Sequence, residues 1–179
     1  MATHGIRFAE GLQVVPLKYP YDTTVDSESQ HFKLENMQWL SFLVSFYANS
    51  SDSGGSTALY NIAIKSTTAT GGSTAAGDYS LPFWYRLGGG IGDDNWGDIT
   101  AVTTATGYVQ ITGESTSNML ILDVNPDVIF AHDSDATHGY VDIDITADSD
   151  TDSCIMSIVG VFEPRYPQSE QKSSTSAAT

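Results

Sequence analysis

Basic residues are scarce in this chain of 179. Seven Lys and Arg stand against 22 Asp and Glu, a formal net charge of −15 at pH 7. A sequence-independent nucleic-acid clamp neutralises phosphates with clustered cations, so that class is excluded. An anionic membrane surface is equally disfavoured as a partner. Cysteine is almost missing: Cys154 alone allows no internal disulfide and no Cys-based zinc ribbon. Long apolar runs are missing too. The two most apolar stretches, Trp39–Tyr47 and Cys154–Phe162, are about half a helical membrane span. The first residues lack an apolar segment before a small-residue cleavage site, which predicts a chain made and used without export. The lone thiol fits a reducing cytoplasm. No Gly-x-Ser-x-Gly elbow, phosphate-cradling loop or Cys/His couple occurs, so an enzyme is not expected.

What the chain has in quantity is alternation. Leu40, Phe42, Val44 and Phe46 alternate with Ser41, Leu43, Ser45 and Tyr47. Tyr60, Ile62 and Ile64 interleave with Leu59, Asn61, Ala63 and Lys65; Val141, Ile143 and Ile145 interleave with Tyr140, Asp142, Asp144 and Thr146. Period two in β-branched and aromatic residues predicts half-buried strands. Candidate runs are 12–17, 30–34, 37–47, 57–66, 81–87, 98–103, 107–112, 118–124, 139–146 and 153–162, separated by Gly-, Ser- and Asp-rich turns. With the shortest runs discounted, the prediction is an all-β, antiparallel, jelly-roll-like β-sandwich of eight or nine strands. A 19.2 kDa chain buries roughly 70% of its unfolded surface, enough for one core without staples. The domain is expected over residues 12–167, with an N-terminal arm at 1–11 and a polar tail at 168–179. The run Ile155–Phe162 is apolar on both faces, which predicts a central strand covered on both sides, and Gly160 marks a close approach by a neighbour. One helix start is convincing: Asn125 as N-cap, Pro126 at the first helical position and Asp127 at the positive dipole end predict one short helix or 3₁₀ turn near 125–131.

The acids are the first place to look for chemistry. No Lys or Arg occurs between Arg86 and Arg165, while fourteen carboxylates do. Asp148, Asp150 and Asp152 have the first ligand spacings of an EF-hand loop, but Ser153 and Val159 stand where its Gly and bidentate Glu belong. An EF-hand is rejected, a looser Ca²⁺ turn is the weak metal candidate, and a solvated acidic turn that blocks edge pairing is preferred. No cofactor is expected. Asp142 and Asp144 share one strand face, a commonplace arrangement and no catalytic pair. Trp84, Tyr85 and Trp96 would be the stacking platforms of a carbohydrate site. The structural alternative, which is favoured, turns Phe83 and Tyr85 into the core, uses Trp96 to pin the Gly-rich loop 88–97, and gives Trp39 to core or intersubunit packing.

Several segments resemble, in the same order, a group of tailed-bacteriophage virion proteins encoded near the major capsid protein. They are Val14-Val15-Pro16-Leu17, the strand Trp39–Phe46, Pro82–Leu87, Asp93-Asp94-Asn95-Trp96-Gly97, Leu120–Val124 and Glu163-Pro164-Arg165-Tyr166-Pro167. The resemblance spans about residues 12–167 and supplies no catalytic residues. It implies a head-associated decoration or cement protein whose partner is the major capsid protein, located on the outer surface of the virion's capsid. It further implies a homo-oligomer, a trimer being natural on a symmetry axis. The strongly negative charge suits the outside of a DNA-filled shell. Ile6, Phe8 and Leu12 of the arm, and the exit Pro164, Arg165, Tyr166 and Pro167, are the expected contacts with the shell or the next subunit. The scarce cations Arg7, Lys18, Arg86 and Arg165 are each expected to meet a defined carboxylate. A tail or neck protein and a host-surface carbohydrate-binding adhesin are the alternatives.

Overall fold

Alternation along the chain is realised as strands in two sheets. The computed structural model describes residues 12–23, 27–28, 31–33, 37–48, 58–67, 79–88, 92–103, 106–113, 118–125, 127, 139–147, 154–164 and 175–176. Thirteen strands lie among these residues. The long ones are β1 (Gln13–Thr23), β4 (Met37–Ala48), β5 (Ala58–Thr67), β7 (Phe83–Leu87), β9 (Val109–Gly113), β10 (Asn118–Val124), β11 (Tyr140–Ala147) and β12 (Cys154–Pro164). Short pieces complete the sheets: β2 (Ser27–Glu28), β3 (His31–Lys33), β6 (Tyr79–Ser80), β8 (Thr100–Val102) and β13 (Thr175–Ser176).

One sheet has six strands in the order β1-β12-β4-β10-β7-β8. The other has the order β13-β3-β11-β5-β6, with β2 paired to β11 and β9 paired to β5. The pairing is nested: β1 with β12, β3 with β11, β4 with β10 and β5 with β9, all antiparallel. A chain folded once into a long hairpin and then rolled so that successive rungs alternate between two sheets produces this order, the jelly roll expected from the sequence. β6, β7 and β8 interrupt the hairpin near its tip, and β7 and β8 widen the six-stranded sheet beyond β10. Pro16 and Pro20 both fall in β1, an edge strand, where a residue without an N–H is tolerated.

The core lies between the sheets. Leu40, Phe42 and Val44 of β4, Leu120, Leu122 and Val124 of β10, and Met156 and Ile158 of β12 meet Tyr60, Ile62 and Ile64 of β5 and Val141, Ile143 and Ile145 of β11. Removing each large side chain from water contributes about 1.5–3 kcal/mol. Phe32 of β3 crosses the gap, its ring edge-on to Phe42 at 6.4 Å and to Phe162 at 5.1 Å between centroids. The close approach expected at Gly160 is made here: a Cβ there would lie 3.3 Å from Phe32 Cε2 and 3.1 Å from Leu17 Cδ1.

Two expectations need correction. β12 is central, but it is covered on one side only. Met156, Ile158, Gly160 and Phe162 are buried, whereas Ser157, Val159 and Val161 are half-buried and Ile155 is exposed. A two-layer sandwich covers one face of each sheet, and no third layer exists among the described residues. The polar tail is also not wholly outside the fold, since Thr175 and Ser176 pair with Phe32 and His31 of β3. Near 125–131, Asn125 Oδ1 accepts the Asp127 backbone N–H at 2.9 Å, the N-cap bond that was expected, and Asp127 is helical. The rest of that segment lies outside the described residues.

Candidate functional site

The two outer faces of the sandwich differ in chemistry. Outward positions of the seven-stranded sheet are Asn61 and Lys65 on β5, Gln110 on β9, and Asp142, Asp144 and Thr146 on β11. Gln110 donates to Asn61 Oδ1 at 3.2 Å and Lys65 pairs with Asp144. Asp142 is buried with His31, Oδ2 standing 3.7 Å from Nε2. Ala63 and Asp142 are buried on this side and Asn61, Lys65, Asp144 and Thr146 are half-buried, so it is polar without being fully open to solvent.

The six-stranded sheet is the reverse. Its register sets Val14, Val161, Ser41, Asp123, Trp84 and Ala101 side by side across the whole sheet. The next outward row is Pro16, Val159, Leu43, Ile121 and Arg86. A third contains Ser157, Ser45 and Met119, and Ile155 lies beyond it on β12. Val14, Trp39, Trp84, Met119 and Ile155 on this face are 38–44% exposed. Leu43, Ile121, Val159 and Val161 are half-buried between them. The aliphatic row over β1, β12, β4 and β10 has no charge at its centre.

Two tryptophans border this field. Trp39 Nε1 donates to Ser41 Oγ at 3.1 Å and more weakly to Asp123 Oδ1 at 3.4 Å, and the Ser41 hydroxyl also donates to Asp123 Oδ1. Trp84 is the direct cross-strand neighbour of Asp123, close enough for the side chains to touch. Sequence reasoning had given Trp39 to packing in the core or between subunits; the structure takes it out of the core. The signal was its phase, since Trp39 is in step with Ser41 and Ser45 and out of step with Leu40 and Phe42.

Trp84, Tyr85 and Trp96, the alternative carbohydrate set, do not come together, and the favoured structural placement holds for Tyr85 and Trp96. Trp84 faces outward, whereas Tyr85 turns the other way and packs partly buried against the core, because consecutive strand residues point to opposite faces. Phe83 is buried, as expected. Trp96 pins its loop: it bridges back to Gly88, where a Cβ would lie 3.1 Å from the Trp96 ring. The same loop is held by Arg86 Nε donating to Gly97 O at 3.0 Å and by Asp93 Oδ1 accepting from Asn95 N and Nδ2 at 3.0 and 2.7 Å. Arg86 thus serves a carbonyl in place of the expected carboxylate. Of the expected terminal contacts, Leu12 and Pro164 are half-buried, Pro164 at the end of β12 opposite Met37. Ile6, Phe8, Arg165, Tyr166 and Pro167 lie outside the described residues, as do Asp148, Asp150 and Asp152. Among the described residues no three His, Cys, Asp or Glu are grouped to hold a metal ion, and no helix is long and apolar enough to cross a membrane.

No protein-family model matches the sequence, and no curated protein matches it. Among solved structures it is similar to the SPBc2 prophage-derived protein YomS, at 14% identity and a TM-score of 0.33, over 84% of this chain and 93% of that one. It is also similar to the CBM22-1–GH10 modules of Clostridium thermocellum xylanase 10B, solved with xylohexaose. That match has 10% identity and a TM-score of 0.33, and covers 92% of this chain and 27% of that one. At these scores neither likeness carries an argument.

Proposed function

We propose that this chain is a non-enzymatic structural protein of a tailed-phage virion, a decoration or cement subunit on the outside of the head. The observation that carries the reading is the contrast between its outer faces: one is polar, the other is a field of aliphatic side chains bordered by two tryptophans. Apolar patches of more than a few hundred Å² on a small protein mark contact with another macromolecule, and the aromatic-bordered aliphatic composition is that of protein interfaces. The net charge of −15 keeps such a subunit off packaged DNA and therefore outside the shell. A stiff sandwich bridging capsomers resists outward stress, and many weak contacts acting together suffice.

The test is made on particles. Heads assembled without this chain are expected to package DNA yet burst at lower temperature and under milder osmotic shock than complete heads. Equal resistance would remove the cement role and leave decoration alone. Absence of the chain from purified heads would remove the proposal, and labelling at the tail or neck would relocate it. The carbohydrate-binding rival rests on Trp39 and Trp84 beside Asp123, and binding on a glycan array would support it.

A further inference from the structure

We infer that the outer face of the six-stranded sheet is a homotypic interface, on which a second copy of this chain packs face to face to form a two-fold dimer. The inference rests on the same face as the reading above and names a second copy as the macromolecule that covers it, so that attachment to a head is made by other parts of the chain.

Three observations name the occupant. The first is the missing layer. β12 is apolar on both sides along Ile155–Phe162, the described residues cover it on one, and a second six-stranded sheet packed at the usual ~10 Å spacing would cover the other.

The second is area. Five strands, β1, β12, β4, β10 and β7, at about 4.8 Å spacing, by the length from Ile155 to Glu163 at about 3.4 Å per residue, give a footprint of roughly 600–700 Å². Stable protein pairs bury about 800 Å² on each partner. A face with side-chain relief on that footprint reaches the required size, and the central row Pro16, Val159, Leu43 and Ile121 supplies the dry centre.

The third is charge. A two-fold contact makes a face meet itself, so one-sign charge on it opposes association. In a chain with 22 acids and seven bases, the centre of this face carries neither. The charged residues that the register places on it, Asp22 opposite Ile155, Asp123, Arg86 and Glu163, lie off the central aliphatic field. A face meant for a basic partner would present its acids to that partner. Here the acids of the face lie at its borders, and the central row Pro16, Val159, Leu43 and Ile121 has none.

Sedimentation velocity and light scattering on the full chain at 1–200 µM test this; the concentrations are chosen to span a roughly micromolar dissociation constant. The expected species is a dimer of about 38 kDa, twice the 19.2 kDa chain. Leu43→Glu places a carboxylate in the centre of the face and is expected to give a monomer over the whole range. Its circular dichroism and urea midpoint should stay close to wild type, because the side chain points away from the core. Asn61→Glu on the other sheet should leave the mass at the dimer value. Added salt should tighten the dimer, since two copies at −15 repel through solvent; a contact with a basic partner would weaken. A wild-type mass of 19.2 kDa at 200 µM overturns the inference, and so does a dimer that Leu43→Glu leaves intact. Either result leaves the attachment of the chain to heads to be judged by the particle experiment.

Discussion

Gly160 shows how one missing Cβ positions a strand. It is buried in the middle of β12 beneath Phe32, and replacing Gly by Ala in a strand normally gains about 0.5–1 kcal/mol. Here the added carbon meets two side chains of unequal freedom. Leu17 Cδ1, at 3.1 Å, is a flexible end that can rotate aside. The Phe32 ring, at 3.3 Å, is wedged edge-on between Phe42 and Phe162. Overpacking of this kind costs about 1–3 kcal/mol, so strain outweighs the strand gain. Gly160→Ala is expected to lower stability by about 1–2 kcal/mol, read as a lower urea midpoint at unchanged slope. Gly139→Ala, with nothing within 4 Å of the new carbon, should be neutral or slightly stabilising. The pair His31 and Asp142 makes a second residue-scale case, since both are only 2% exposed. Each has a further contact besides this one, so removing one member under-satisfies a buried polar group without orphaning it, and a loss of about 1–3 kcal/mol is expected for Asp142→Leu or His31→Leu. The double substitution should recover part of the sum; strictly additive losses in the cycle would show that the two do not act as a unit.

At the scale of elements, the strands were legible and the short edges were not. The predicted runs 118–124, 139–146 and 153–162 fall within two residues of β10, β11 and β12 at both ends, because seven or more alternating residues carry their own period. β2, β6 and β13 have two residues each, too few to show any period, and they exist because a neighbouring strand offers a ladder. The site was half legible. The inward turn of Phe83 and Tyr85 was legible in the alternation, while the aliphatic face was hidden inside a run read as doubly buried. Burial on a second side depends on a layer that the described residues do not contain. The loop after β7 gives the element-scale prediction. Trp96 packs on Gly88, and Gly97 N donates to Leu87 O at 2.8 Å. Trp96→Ala should release residues 92–99 as a local unit, so hydrogen exchange at Gly97 accelerates strongly while amides of β4 and β12 keep their protection. Uniform acceleration across both sheets would instead make the loop part of the global core.

For the whole molecule, the nested hairpin dictates an order of assembly that no local pattern reveals. The innermost pairing joins residues 47 apart, Ile62 with Val109, and the outermost joins residues 149 apart, Gln13 with Phe162. Closing the larger loop directly costs only about 1 kcal/mol more by the logarithmic law, so entropy of one closure alone does not decide. Repetition does. Once β5 and β9 pair, joining β4 to β10 closes only the short connections between them, and each further rung adds a similarly small step. Starting from β1 and β12 leaves every inner rung still to be ordered. The inner ladder should therefore be formed in the transition state and the outer ladder afterwards, within the slow folding typical of non-local β topologies. Ile62→Val and Ile158→Val each remove one buried methylene, for about 0.5–1.5 kcal/mol. In stopped-flow chevrons, Ile62→Val is expected to slow folding by most of its stability loss, whereas Ile158→Val should chiefly speed unfolding. If Ile158→Val slows folding as much as Ile62→Val does, β12 is already docked between β1 and β4 at the barrier. The hairpin would then close from its open end, against the sum of the steps.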